Sequence, residues 1–195
     1  MTTFQFPGAY VWERKLPNHQ EIKSRVLPKI IAAANKNEDN PDFKWKVDTH
    51  SSVVTNFALE RLIPWEYFTQ DDVVEIAIRS AEIFKENNPI PNNKFPDSFK
   101  LKAFWWNRYK PGSTAPPHIH SGGISGVYLL EQIGNCPLEF FASNPYSPDP
   151  EESGTYFEPK AEEGTILLFP GTLTHWVNPS PFLRTTISFN LLCAT

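Results

Sequence analysis

The chain has 195 residues, enough for one domain with a sizeable hydrophobic core. Hydrophobic residues make up 40% and charged residues 21%, a balance that excludes an intrinsically disordered protein. The formal net charge of −4 disfavours nucleic acid as a partner. Its 19 prolines and 14% aromatic residues favour short strands and stiff loops over a helical bundle.

The two cysteines and the N-terminal sequence bear on the compartment. Cys136 and Cys193 form no paired motif, so no disulfide framework is predicted. Residues 1–15 lack a secretory pattern, and no apolar run is long enough to span a bilayer. We therefore expect a cytoplasmic protein without membrane association.

Two helices are predicted in the first half of the chain. Asn18 and Glu21 resemble a capping box, and Pro28 predicts a kink or an early break in the helix that follows. A second helix is expected from Asp71 or Asp72 to a Pro- and Asn-rich loop at residues 87–98. The apolar residues at helical spacing are Ile22, Val26, Ile30 and Ala33 in the first helix and Val73, Ile76, Ala77, Ile83 and Phe84 in the second.

From Phe99 onward the pattern changes to short strands separated by Gly, Pro, Asn or Ser. Strands without helices between them favour an antiparallel sandwich or barrel, here of roughly eight strands. The barrel could start near residue 45 or near residue 100. We divide the chain into helices and supporting strands at 1–98 and a β core at 99–195, within one structural domain. The predicted strands are 101–109, 124–130, 137–142, 154–159, 164–170, 174–178 and 184–192.

Alternation in the strand 101–109 assigns its side chains to two faces. The face that we expect to point inward carries Leu101, Ala103, Trp105, Asn107 and Tyr109. The indole rings of this strand receive no functional role, since aromatic residues near a barrel mouth are more often packing residues.

Three of the five histidines form a candidate metal site. His118 and His120 share a face if the chain is extended there, and a barrel can bring the distant His175 opposite them. Three neutral imidazoles suit iron, copper, nickel or zinc. His19 and His50 stand alone and are expected to be surface or packing residues.

Several ordered motifs resemble one enzyme family. NRYKPG at 107–112 followed by HIH at 118–120, and GTILLFPGTLTHWVN at 164–178 followed by RTTISFN at 184–190, resemble segments of iron(II)/2-oxoglutarate oxygenases, including the alkylation-repair group. With SGVYL at 125–129, the likeness extends to small members from bacteria and phages, so a phage-encoded origin fits. The likeness covers about residues 100–192.

The resemblance implies a mainly β fold, a double-stranded β-helix (a jelly-roll or cupin-like barrel) with N-terminal α-helices. It also implies a dioxygenase, commonly a hydroxylase, that uses Fe(II), 2-oxoglutarate and O2 and releases succinate. His118 and His175 match two of the metal ligands. His120 stands where most members have Asp or Glu, so either His120 or a water is the third ligand. No catalytic residue beyond the ligands is predicted.

Arg184 matches the arginine that anchors the far carboxylate of 2-oxoglutarate, and Thr186 matches the hydroxyl residue beside it. Without the family pattern, Arg184 could equally lie at an exposed strand end, paired with a surface acid. Ser188 and Asn190 are further candidate co-substrate contacts, because alternation places them on the same face as Arg184. Asn107, Tyr109 and Tyr128 are also candidates, although the two tyrosines could instead belong to the barrel core.

The sequence does not identify the substrate, which could be a small molecule, a peptide side chain or a nucleobase. The low content of basic residues disfavours the nucleobase. Two alternatives stay open. The first is a cupin dioxygenase or isomerase that does not use 2-oxoglutarate, although residues 121–126 lack the glutamate of the usual first cupin motif. The second is a non-catalytic barrel module.

Overall fold

A computed structural model describes residues 2–6, 9–43, 53–56, 65–87, 98–121, 123–143 and 154–194. His50, the alternative barrel start near residue 45 and nearly all of the predicted loop at 87–98 lie outside these residues. Within them, no helix is both long and apolar enough to cross a membrane.

The described residues form three α-helical segments and eleven strands. The helical segments are α1 (His19–Lys36), α2 (Gln70–Val73) and α3 (Arg79–Asn87), and a short 3₁₀ helix spans Pro41–Phe43. The strands are β1 (Thr2–Phe6), β2 (Ala9–Lys15), β3 (Val53–Thr55), β4 (Ser98–Tyr109), β5 (Ala115–His118), β6 (Ile124–Glu131), β7 (Leu138–Ser143), β8 (Gly154–Phe157), β9 (Thr165–Pro170), β10 (Thr174–Val177) and β11 (Arg184–Ala194).

Two antiparallel sheets carry the fold. The larger sheet has seven strands in the order β1-β2-β9-β6-β11-β4-β3, and the smaller has four in the order β5-β10-β7-β8. Every strand pair is antiparallel, with many neighbours distant in sequence, such as β6 with β11. The predicted double-stranded β-helix is confirmed, although the two sheets face each other without closing into a barrel.

Two hydrophobic clusters lie on opposite faces of the large sheet. One contains the buried faces of the helices, and the other fills the space between the two sheets. β9 contributes to both, because Ile166 and Leu168 face the helices whereas Leu167 and Phe169 face the small sheet. A strand buried on both faces explains the continuous apolar run of this segment.

The predicted break at Pro28 is wrong, because α1 continues through it to Lys36. Pro28 lies on the exposed side of the helix, where water can satisfy the carbonyl that loses its backbone donor. Burial of Ile22, Val26 and Ile30 on the other side stabilises the continuous helix. The predicted capping box at Asn18 is also absent, since its side chain makes no cap hydrogen bond.

The second helix starts at Gln70, one residue before the predicted start, and Thr69 caps it in a capping box with Asp72. Between α2 and α3 the chain forms a π-helical segment at Val74–Ile78. Arg14 of β2 donates to the Glu75 carbonyl of this segment at 3.3 Å and to Ser80 at 2.8 Å. Arg14 therefore connects the large sheet to the irregular part of the helix.

β4 contains a β-bulge that sequence alternation does not reveal. Asn190 of β11 pairs with Ala103, but its neighbour Leu191 pairs with Leu101, so Lys102 is an extra residue on β4. Leu101 consequently packs against the helix-side cluster, and its predicted inward position is wrong. The alternation holds beyond the bulge, from Ala103 to Tyr109.

An ion pair joins the first helix to the second. Arg25 donates to both carboxylate oxygens of Asp72, at 2.8 and 2.6 Å, and the Thr69 backbone N–H donates at 2.7 Å. Burial raises the pKa of Asp72, but the hydrogen bonds from Arg25 and Thr69 outweigh it and hold the pKa below its ordinary value.

We predict that Asp72→Asn lowers the free energy of unfolding by about 1–3 kcal/mol at neutral pH. Because the carboxyl pKa of Asp72 is lower in the folded than in the unfolded state, the carboxylate stabilises the fold at pH values above its unfolded-state pKa. This stabilisation is lost as the pH falls through the folded-state pKa. In urea denaturation between about pH 6 and pH 3, the free energy of unfolding should therefore fall more steeply with decreasing pH in the wild type than in the variant. Asp71→Asn, at an exposed neighbour, is the control; equal pH dependence of wild type and Asp72→Asn would contradict the assignment.

Candidate metal centre

Three imidazoles converge between the two sheets. His118 ends β5, and His175 lies directly opposite it on the paired strand β10. His120 follows two residues later, where its backbone N–H donates to the Gly171 carbonyl at 2.7 Å. The ligand nitrogens of the three residues lie within 4.8 Å of one another. They are therefore close enough to bind one ion.

Backbone hydrogen bonds orient two of the rings. Nδ1 of His118 lies 2.7 Å from the Pro116 carbonyl, and Nδ1 of His175 lies 2.9 Å from the Leu173 carbonyl. A carbonyl can only accept, so each Nδ1 carries the proton and each Nε2 presents a lone pair. Histidine ligands of metals commonly donate their other ring N–H to a backbone carbonyl in this way.

Burial keeps the three side chains neutral. It lowers the pKa of His175 to about 3 and that of His120 to about 4, with a further contribution from the neighbouring His118. Burial also lowers the pKa of His118, partly opposed by its hydrogen bond to Pro116. Neutral imidazoles at physiological pH have their lone pairs available, as a metal ligand requires.

The histidines line a cavity of about 230 Å³ between the sheets. Most of the predicted co-substrate contacts line it as well. With the three histidines, the predicted residues in its wall are Asn107, Tyr109, Arg184, Thr186 and Ser188.

Arg184 has no acidic partner among the described residues. Only 4% of its surface is exposed, its Cζ lies 3.7 Å from the Tyr109 ring centroid, and its Nε has no hydrogen-bond partner. Burial lowers the pKa of Arg184, although Tyr109 and Cys136 oppose this shift. A guanidinium stays charged even so, and a buried charge requires a counter-charge. The alternative of an exposed arginine paired with a surface acid does not match this position.

Polar side chains between Arg184 and the histidines form a small network. The Asn107 amide donates to the Ser188 hydroxyl at 3.1 Å and to the Thr186 hydroxyl at 3.4 Å. Asn107 and Thr186 face each other across the β4–β11 pair. Both hydroxyls can also donate to an acceptor in the cavity.

Two predicted contact residues lie elsewhere. Tyr128 is on the other face of β6, in the helix-side cluster, where its hydroxyl lies 2.6 Å from Nδ1 of the buried His19. Val127 and Leu129 line the cavity, so alternation directs Tyr128 away from it. Asn190 shares the face of Ser188 but lies outside the cavity wall, where it accepts a hydrogen bond from Ser125 at 2.8 Å.

Several cavity residues were not predicted. The Trp105 ring lies 5.9 Å from the His120 ring, and its alternation with Asn107 could have identified it. Cys136, which is completely buried, and Thr55 of the short strand β3 also line the wall. Their positions depend on pairing between distant segments, which no local pattern reports.

A family model matches the part of the chain that carries the candidate site. Residues 103–190 match the family described as "Putative 2OG-Fe(II) oxygenase", and the match includes all three histidines and Arg184. The likeness seen in the motifs is thereby confirmed over these residues. The nitrogen donors and the unpaired guanidinium of the site fit the two groups in the family's name, an iron(II) ion and a dicarboxylate.

Solved structures share the fold of this chain. A Pseudomonas putida prolyl-4-hydroxylase superposes with a TM-score of 0.59 at 12% identity, covering 95% of this chain and 93% of that one. AviO1 from Streptomyces viridochromogenes Tue57 gives 0.62 at 16% identity, with 93% and 88% covered. The viral collagen prolyl hydroxylase of Paramecium bursaria Chlorella virus-1, in its 2OG complex, gives 0.52 at 13%, with 95% and 96% covered. No curated protein matches the chain in sequence.

We predict that His175→Ala reduces Co(II) affinity, measured by anaerobic calorimetry, by more than about 100-fold. The reason is that loss of an outer-shell partner of a ligand already costs about 10–100-fold. His19→Gln, which removes a buried imidazole outside the cavity, is the control and should bind Co(II) like the wild type. Unchanged affinity in His175→Ala would exclude it as a ligand.

Proposed function

We propose that the protein is an Fe(II)- and 2-oxoglutarate-dependent dioxygenase, a hydroxylase that oxidises a small molecule or a peptide side chain. His118, His120 and His175 hold the metal, and Arg184 binds the far carboxylate of 2-oxoglutarate. The observation that carries the proposal is the presence, in one cavity, of three neutral imidazoles and a buried guanidinium without an acidic partner among the described residues.

The three imidazoles leave part of the coordination sphere open. Iron(II) commonly takes six ligands, so three protein donors leave room for a bidentate keto acid and dioxygen. With Fe(II) and 2-oxoglutarate bound, the site supplies oxidation of a substrate by dioxygen, coupled to conversion of 2-oxoglutarate to succinate and carbon dioxide. The contribution of this chain is to orient the reactants and to exclude water.

Arg184 is suited to a carboxylate because of its geometry and its surroundings. Stacking on Tyr109 fixes the plane of the guanidinium, which can then present its N–H groups as a bidentate fork. The low dielectric of a buried site strengthens this attraction. A dicarboxylate that reaches Arg184 thereby neutralises the buried charge.

Hydroxyl and amide groups along the cavity orient the rest of the co-substrate. Thr186 and Ser188 follow Arg184 on the same face of β11, and Asn107 holds both hydroxyls in position. Tyr109 forms one wall against Arg184, and this contact raises the pKa of Arg184 against the larger effect of burial. Because these groups are fixed before binding, little entropy is lost on ordering them.

Apolar residues of both sheets surround the polar groups. Leu129 comes from the large sheet, and Leu138 and Val177 come from the small one. All three are at least nine-tenths buried, so water is excluded around the carboxylate end. The same apolar wall restricts the co-substrate to an extended position between Arg184 and the histidines.

The direct test is release of succinate. Protein reconstituted anaerobically with Fe(II) should, on exposure to oxygen, convert 2-oxoglutarate to succinate, and omission of either Fe(II) or 2-oxoglutarate should abolish the signal. Mass spectrometry of the products measures it. Oxygen consumption independent of 2-oxoglutarate would instead support the cupin alternative.

We predict that Arg184→Ala weakens 2-oxoglutarate binding at least about ten-fold, since loss of a charge-assisted hydrogen-bonded contact costs about 1.5–3 kcal/mol. Calorimetry on the Co(II)-loaded protein measures it, and Co(II) affinity itself should be unchanged. Arg184→Lys keeps the positive charge but not the bidentate guanidinium, so its affinity for 2-oxoglutarate should lie between those of the wild type and Arg184→Ala. Equal affinity in wild type and Arg184→Ala would remove Arg184 from the co-substrate site.

A further inference from the structure

The pairing of β4 with β11 maps the cavity from its closed end to its mouth. Side chains that share this face occur every second residue, about 7 Å apart along a strand. From the buried end outward, the paired residues are Arg184 with Tyr109, Thr186 with Asn107, Ser188 with Trp105, and Asn190 with Ala103. The Trp105 ring contacts the His120 ring. The candidate metal site therefore lies near the third pair, and the fourth pair lies just beyond the cavity wall.

The β-bulge occurs one residue beyond the fourth pair. Lys102 is the extra residue of this bulge, and bulges next to active sites commonly redirect a side chain. The Lys102 ammonium donates to the Ser121 hydroxyl and to its carbonyl, and Ser121 directly follows His120. The bulge thus places an exposed cation beside the loop that carries the metal ligands.

The charged side chain that contacts the loop after His120 is a cation, Lys102. Within the described ranges, Lys102 forms no ion pair with a carboxylate, and no acidic side chain lines the cavity. His120 adds to this imbalance, because an imidazole ligand does not neutralise part of a divalent ion's charge as a carboxylate would.

We propose that the site takes a substrate with an anionic group, a carboxylate or a phosphate, and that Lys102 contacts this group. This inference rests on the proposed function and specifies its substrate class. The anionic group lies at the rim, beside Lys102 and the loop residue Ser121.

The rest of the substrate contacts apolar surface. Ile119, between the two histidines, is 57% exposed and also lines the cavity, and Trp105 forms the wall beside His120. An aromatic or aliphatic body fits between these residues, with its charged end toward Lys102. The substrate class is therefore an amphipathic small anion.

The test uses the full chain loaded with Zn(II) and saturated with 2-oxoglutarate, so that binding is measured without turnover and with Arg184 already occupied. The probes are phenylacetate, phenyl phosphate, phenylacetamide and phenethylamine, which share an aromatic body and differ in charge. Calorimetry measures each dissociation constant. At least one of the two anions should bind at least ten-fold more tightly than the amide and the amine, and Lys102→Glu should abolish this preference.

Lys100→Glu is the matched control, because it makes the same charge change at an exposed residue on the same strand and should keep the preference. Equal binding of amide and anions, equal effects of the two substitutions, or no binding of either anion would each overturn the proposal. Thermal unfolding verifies that both variants are folded. A wild type that fails to bind 2-oxoglutarate would refute the proposed function, whereas normal 2-oxoglutarate binding without anion preference would refute only the role of Lys102.

Discussion

The antiparallel pairing of β5 with β10 is the constraint on which the candidate site depends. It places His175 opposite His118, although 56 positions separate them in the sequence. Packing behind the pair fixes the angle of the distal ring, since the Phe169 ring lies 4.8 Å and the Phe140 ring 5.9 Å from the His175 ring. The two phenylalanines come from different sheets, so the geometry of the metal site depends on the core between the sheets. Any substitution that separates the sheets would also separate the ligands.

Arg184 is a buried charge in the cavity wall without an acidic partner among the described residues. Burying an isolated charge costs several kcal/mol in protein interiors, so a fold retains such a group only where a compensating interaction exists. Elsewhere in this protein that compensation is internal. Arg108 of β4, on the opposite face of the large sheet, pairs with Glu131 of β6 and donates to Thr185 of β11. Arg108 and Arg184 thus occupy neighbouring positions of one sheet, but Arg108 has an acidic partner and Arg184 has none among the described residues. One charge stabilises the fold, and the other is left for a ligand.

Local patterns in the sequence were sufficient to predict the strands from β4 onward, except β5, and the three histidines. The H-x-H pair can be recognised from the local sequence, because alternation alone places both rings on one side. Other features depend on distant pairing. The position of Trp12, the bulge at Lys102 and the contribution of Thr55 each require knowledge of which strands are neighbours. Tyr128 illustrates the ambiguity of a strand buried on both faces, where an inward and an outward tyrosine have the same apolar neighbours in sequence.

Pro28 and Asn18 show a different limit. Helix-breaking and capping preferences are worth a few kcal/mol at most, and the burial of one apolar helix face against the large sheet exceeds them. The sequence pattern for the helix interior was therefore more informative than the residues expected to end or begin it.

The H-x-H spacing has a consequence for how such a site can diversify. The middle residue, Ile119, is largely exposed and lines the cavity. Its side chain can change in size or polarity without altering either ligand beside it. During evolution, substitutions at position 119 can therefore change which substrates bind while the metal-binding histidines on either side are retained.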